Sequence, residues 1–274
     1  MKKYNIILDN RNYDFEFMWQ LLEIRKNTPE FFNDRLGKLS FYFMFPYSIW
    51  SLSRNRDYFL PYENIVADTN KLEDNNCDIF LDLENKNIKE KHFSDRYSNL
   101  VLETTKNKVV NAVIYSNDLA KYIKKNYPNV NLIQSPIKNQ TEIEPPFNMN
   151  MIDYSIYSHN KNNITNKFST ILSVNSFCYN TYMCADFLSD NILNYETNKP
   201  NNCNNNFETF IEMKRNKLFV PLEELNNICN DGIQNFFVKT NCGNKYERLE
   251  TWLYYTAKPQ HINKVRLECL KSIN

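Results

Sequence analysis

Glycine is almost missing from this chain. Gly37, Gly232 and Gly243 are the three in 274 residues, too few and too scattered for a clustered-glycine phosphate cradle. Both GxGxxG and the Walker-type loop are therefore excluded, and no nucleotide cofactor is expected. An excess of charge of one sign is also lacking: 33 basic residues face 32 acidic ones, for a formal net charge of +1. No block of like charge stands out, so the sequence gives no clear signal for nucleic acid or for an anionic membrane. No apolar run approaches the ~18 residues that a membrane span needs. The short apolar stretch behind Met1-Lys2-Lys3 is cut by Asp9, too early for the core of a secretory signal. Cytoplasmic residence is the expectation. The nucleophile elbow GxSxG and the zinc-protease motif HExxH are absent as well.

What is present suits one large core. A 42% hydrophobic and 15% aromatic composition over this length fits a single domain spanning 1–274. Asparagine is abundant and culminates in a run at Asn201–Asn206, within an expected solvated loop over 198–206. In a chain expected to stay in the cytoplasm, seven cysteines read as thiols or metal ligands rather than as a disulfide framework.

The pattern along the chain alternates short β-type runs with helical stripes. Tyr4–Asp9 reads as a buried strand, followed by a helix through Phe15, Trp19 and Leu22. Ser40–Phe45 is β-prone and ends at Pro46, and Ser48–Arg54 reads as a short helix. Ile65–Ala67 and Ile79–Leu83 are short strands or helix fragments. Strands are expected at Asn99–Glu103, Val109–Tyr115, Asn131–Ser135, Met151–Tyr157, Thr170–Asn175 and Phe236–Lys239. Leu119, Ile123 and Tyr127 share one face of a helix over Asp118–Tyr127 that Pro128 stops. Helices are also expected at Ala185–Leu193, Leu222–Asn230, Tyr246–Thr256 and Ile262–Leu270, with Gly232 at a helix C′ position. About eight strands with intervening helices predict an α/β fold, a TIM-like (β/α)8 barrel. The alternative, an open doubly wound sheet, usually brings a glycine-rich first turn that this chain lacks.

Several phrases resemble one family. Ile-Tyr-Ser-Asn-Asp-Leu-Ala at Ile114–Ala120 and Tyr-Pro-Asn-Val-Asn-Leu-Ile-Gln-Ser at Tyr127–Ser135 look like consecutive barrel units of the collagenase-like peptidase family U32. Val-Asn-Ser-Phe-Cys at Val174–Cys178 resembles the central cysteine motif of that superfamily. Val220–Leu225 and Asp231–Asn241 resemble its late segment, where a glycine precedes a strand ending in Phe-Lys-x-Glu-Gly-Arg. Here Asn241-Cys242-Gly243 replaces the Glu-Gly-Arg, removing a carboxylate and a guanidinium. The likeness spans about Val109 to Leu270 and implies a TIM-like barrel. It further implies either a peptidase-type activity or a cysteine-ligated [4Fe–4S] cluster used in redox or oxygen-independent hydroxylation chemistry. Cys203 and Cys242 are 39 positions apart, widely separated as the last two ligands are in cluster-bearing relatives. With Cys178 and Cys184 they form the candidate quartet.

Four thiolates close such a cluster, but cysteines are also often buried as small apolar groups. Cys203, set among asparagines, has no core to fill, whereas Cys77, Cys229 and Cys269 fit structural positions. Because barrel sites gather at strand C-termini, His159 is a candidate base or anion binder, Asn175 a candidate substrate-orienting amide, and Lys239 a candidate partner for a carboxylate or phosphate. Each has a plainer alternative as a solvated or loop-capping residue. Three readings of function remain open. One is an iron–sulfur enzyme. Another is a cluster-free barrel enzyme acting on a small molecule, peptide or saccharide. The last is a non-catalytic subunit working with a protein partner.

Overall fold

A computed structural model describes residues 2–11, 14–44, 48–52, 62–138, 140–175, 207–240 and 244–271. Eight parallel strands close into a barrel in sequence order. They are β1 (Tyr4–Asp9), β2 (Leu36–Phe43), β3 (Ile79–Leu83), β4 (Val110–Ile114), β5 (Asn131–Gln134), β6 (Met149–Asp153), β7 (Thr170–Val174) and β8 (Asn235–Val238). β8 pairs with β1 through Leu8 and Val238, so the ends of the chain's sheet meet. Helices α1 (Phe15–Asn27), α2 (Tyr62–Asp74), α3 (Arg96–Thr105), α4 (Asn117–Asn126), α5 (Tyr154–Asn160), α6 (Phe210–Arg215), α7 (Leu222–Asn230), α8 (Lys245–Thr256) and α9 (Ile262–Lys271) are the α-helices among the described residues.

Strand pleat sorts the side chains into two cores. Strands covered on both faces carry near-continuous apolar runs, and β4 and β7 are buried at every position. Inside the barrel, Ile7, Tyr42, Phe80, Val113, Ile133, Met151, Ile171 and Phe237 supply one side chain per strand to a closed apolar layer. Tyr42 and Phe237 meet across it with ring centroids 4.6 Å apart. The alternate residues, Ile6 and Leu8 among them, join the outer core beneath the helices.

Local chemistry sets the helix ends. The Ser116 side chain accepts from Leu119 N–H and starts α4, Asp95 accepts from Ser98 N–H before α3, and Asn244 caps α8. After α7, Gly232 takes φ +118° while Gly232 N–H and Ile233 N–H return to the carbonyls of Cys229 and Ile228. That pair of bonds is a Schellman closure.

The sequence pattern misplaces some elements. Asn99–Glu103 lies inside α3 rather than in a strand, because Asp95 caps a helix whose buried face is Ser98, Val101, Leu102 and Thr105. Ile65–Ala67 belongs to α2. The strand expected at Met151–Tyr157 stops at Asp153, where α5 begins at once. Residues 48–52 of the expected Ser48–Arg54 helix make a turn. Ala185–Leu193 and the loop at 198–206 lie outside the described residues. Among the described residues no helix is long and apolar enough to cross a membrane.

Candidate active site at the barrel mouth

Two residues beyond the apolar layer, the same pleat points the next side chain of each strand into the barrel. That step leads from Ile7 to Asp9, Phe80 to Asp82, Ile133 to Ser135, Met151 to Asp153, Ile171 to Ser173 and Phe237 to Lys239. A polar ring thus sits directly on a greasy floor, at the strand C-termini where barrel enzymes keep their chemistry.

On the β1–β3 side the ring is tightly wired. Asp9 receives a bidentate pair from Arg11, Nε at 2.9 Å and Nη2 at 2.8 Å. This places the guanidinium 5.5 Å from the centroid of Tyr42 and 5.9 Å from that of Phe237. Its Nη1 lies 4.0 Å from Asp82 Oδ2. Asp82 Oδ1 accepts from the N–H groups of Leu52 and Glu84, both at 3.1 Å, while Oδ2 is buried with no hydrogen-bond partner. Glu84 accepts from Tyr42 Oη at 2.8 Å through Oε2 and from Ser135 Oγ through Oε1.

These surroundings set the acidity of Asp82. Burial, aided by the Glu84 charge, pushes its carboxyl up to about 7 against the pull of Arg11 and two backbone N–H bonds. Burial likewise raises the Tyr42 phenol well above its ordinary range, so it stays a hydroxyl donor to Glu84. One carboxyl that keeps its proton to neutrality therefore stands beside another whose two oxygens both accept hydrogen bonds.

The β6–β8 side of the ring carries Lys239, whose Nζ lies 3.2 Å from Asp153 Oδ1. Asp153 is on β6 and Lys239 follows β8, so the lysine side chain crosses over β7. Beneath it, Ser173 pairs in register with Asp153 on one side and Phe237 on the other. The Ser173 hydroxyl is fully buried and has no hydrogen-bond partner.

Of the residues singled out by sequence, Lys239 belongs to this ring. Asn175 sits at the end of β7 but turns outward: its Oδ1 accepts from Val220 N–H and Tyr255 Oη, each at 3.1 Å. Its backbone is left-handed, φ +62°. His159 is exposed on the last turn of α5, with Nδ1 2.7 Å from the Ser155 carbonyl, rather than on a strand end. Cys178, Cys184, Cys203 and Cys242 all lie outside the described residues. Cys77, Cys229 and Cys269 are buried in the outer core, and burial pushes the thiols of Cys77 and Cys269 up to about 12. Among the described residues no group of three or more His, Cys, Asp or Glu side chains is placed to hold a metal ion.

Asp9, Arg11, Tyr42, Asp82, Glu84, Asp153 and Ser173 belong to no motif that marks them as site residues in the sequence. The signal was available: each of Asp9, Asp82, Asp153 and Ser173 stands two positions beyond an inward apolar residue, where a buried strand has no reason to place a polar group unless it faces a mouth.

No protein-family model and no curated protein matches the sequence. A solved structure described as that of a U32 peptidase matches the fold with a TM-score of 0.50, covering 89% of this chain and 94% of its own at 12% identity. At that identity the likeness is one of fold.

Proposed function

We propose that this protein is a barrel enzyme working by general acid–base chemistry at the polar ring, on a peptide or saccharide substrate. The observation that carries the reading is the pairing of Asp82, protonated up to about neutrality, with Glu84, fixed as an acceptor by Tyr42 and Ser135. One carboxyl that holds its proton beside another held as a hydrogen-bond acceptor is a usual division of labour in hydrolysis. In that reaction Asp82 gives its proton to the leaving atom as the bond to the reacting carbon breaks. The water that takes the leaving group's place returns a proton to Asp82. Arg11, 4.0 Å away, offsets the transient Asp82 charge.

The test is turnover of a peptide and oligosaccharide panel by the wild type and Asp82→Asn. The substitution keeps the size and removes the proton donor, and kcat/KM is expected to fall by about 10²–10⁴-fold. The wild type should lose activity as pH rises through about 7, since the donor is then ionised. Equal activity in the two proteins would overturn the assignment.

A second reading, a [4Fe–4S] centre on Cys178, Cys184, Cys203 and Cys242, draws support from chain topology. The ends of β7 and β8 are hydrogen-bonded neighbours, Lys239 N–H to Val174 carbonyl at 3.2 Å. Cys178 follows Asn175 by three positions and Cys242 follows Thr240 by two, while a chain reaches up to ~3.5 Å per residue. Such a cluster would supply redox chemistry beside the ring. This reading carries with it cytoplasmic residence and a protein partner. Oxygen-free purification with iron and acid-labile sulfide analysis decides it. Iron lost on Cys178→Ala supports the cluster, and an iron-free protein after reconstitution removes it.

A further inference from the structure

Within the ring, the carboxylates lie deep and the cations lie above them. The side chains of Asp9 and Asp82 are 3% and 0% exposed, those of Arg11 and Lys239 29% and 13%. Of these four groups, the guanidinium and the ammonium are the ones more open to a ligand. Both extend from neighbouring strands, because β1 and β8 pair through Leu8 and Val238, and Thr240 Oγ1 donates to the Asp9 carbonyl at 3.3 Å. Each cation is pre-oriented by a carboxylate behind it. Asp9 holds Arg11 by Nε and Nη2, and Asp153 holds Lys239.

Ser173 is the independent observation. A buried hydroxyl without a partner is destabilising, and this one lies on β7, in register between Asp153 and the inward-facing Phe237. A donor in that position needs an acceptor supplied from above. Phe237 and Tyr42 form the floor under the guanidinium, an apolar surface that keeps charged contacts above it strong.

We propose that Arg11, Lys239 and Ser173 form an anion subsite that binds a carboxylate or phosphate group of the substrate. The inference rests on the acid–base reading of the mouth and gives it a substrate class. One half of the ring, around Asp82 and Glu84, reacts. The other half, between β7, β8 and β1, holds the anionic end of the molecule. Two charge-assisted bonds and one hydroxyl bond would fix the distance from that end to the bond that Asp82 protonates.

Isothermal titration calorimetry at low ionic strength tests the subsite with inorganic phosphate and with N-acetyl-dialanine, the latter compared with its amide. Saturable binding of phosphate assigns a phosphorylated substrate, and binding of the free peptide acid but not its amide assigns a carboxylate. Ser173→Ala and Lys239→Gln are each expected to weaken that binding about tenfold or more, while Lys161→Gln, on the exposed surface, leaves it unchanged. Thermal unfolding of the same proteins checks that they are folded, and Ser173→Ala alone decides if Lys239→Gln does not fold. Failure of both anions to bind, or binding that ignores Ser173→Ala, overturns the subsite. Turnover of a neutral peptide or saccharide that depends on Asp82 but not on Lys239 would sink the subsite and leave the acid–base reading standing. Loss of both dependences would remove the two together.

Discussion

Asp82 shows how one residue's surroundings turn a common side chain into a reagent. Its carboxyl is enclosed by the β2 turn, where Leu52 N–H reaches it, and by the neighbouring Glu84 charge. Because the fold holds the proton up to about 7, the folded state binds a proton that the unfolded chain releases near the ordinary carboxylate range. The contribution of Asp82 to stability then falls as pH rises from roughly 4 through 7, and the penalty is fully present above 7. Each unit of displacement is worth about 1.4 kcal/mol. Asp82→Asn cannot ionise, so the variant is expected to be more stable than the wild type at pH 8 and to show a flatter pH dependence between 4 and 7, measured by urea unfolding. This is the pattern of a residue kept for activity at a cost in stability. A variant less stable than the wild type at pH 8 would contradict it.

At the scale of elements, the join between β7 and the α7–α8 region depends on Asn175. Its left-handed backbone costs most residues about 1–2 kcal/mol, and its side chain links the strand end to Val220 and Tyr255. Asn175→Ala adds the strain and leaves the Val220 N–H unpaired, so a loss of about 2–4 kcal/mol is expected by urea titration. Asn175→Gly keeps the backbone relaxed and should lose less. Equal losses would mean that backbone strain plays no part. Sequence reading located this residue and gave it a chemical role, because strand-end position does not reveal which way a side chain turns. The same limit explains His159: the strand–helix junction at Asp153–Tyr154 carries no glycine, proline or cap side-chain bond, so the apolar run continues through it and hides the change of period. At Ser116 and Gly232 the closing residues mark the element end to within a residue or two, whereas the Asp95 cap of α3 does not keep Asn99–Glu103 from reading as a strand.

On the scale of the whole molecule, the barrel was legible because parallel strands buried on both sides leave compact apolar runs between helical stripes. The mouth was less legible, since its residues are single polar positions drawn from six strands and unite only on closure. Asparagine also serves inside the barrel. In the layer below the floor Asn5 Nδ2 donates to Asn235 Oδ1 at 2.9 Å and Asn131 Nδ2 to Asn111 Oδ1 at 3.3 Å. Asn5 Oδ1 also accepts from Lys38 N–H at 2.9 Å, and a Cβ at Gly37 would come within 2.8 Å of that oxygen. One of the few glycines is thus spent on a close approach at the β1–β2 seam. Closure through β1 joins the first and last strands of the barrel, and one cooperative unit is the expected consequence. Phe237→Ala, which empties a floor position touching Tyr42, is expected to cost about 3–5 kcal/mol and to shift a single unfolding transition rather than split it. Two separated transitions would contradict a single closed core.

The central claim is that the barrel mouth holds a carboxyl poised to give up a proton near neutral pH. Its most direct test is the titration of Asp82 by carboxyl ¹³C NMR in protein labelled at aspartate Cγ, with the resonance assigned by its loss in Asp82→Asn. A midpoint near 7 is the predicted result. A midpoint in the ordinary aspartate range, about 4, would contradict the account and leave the ring without its acid.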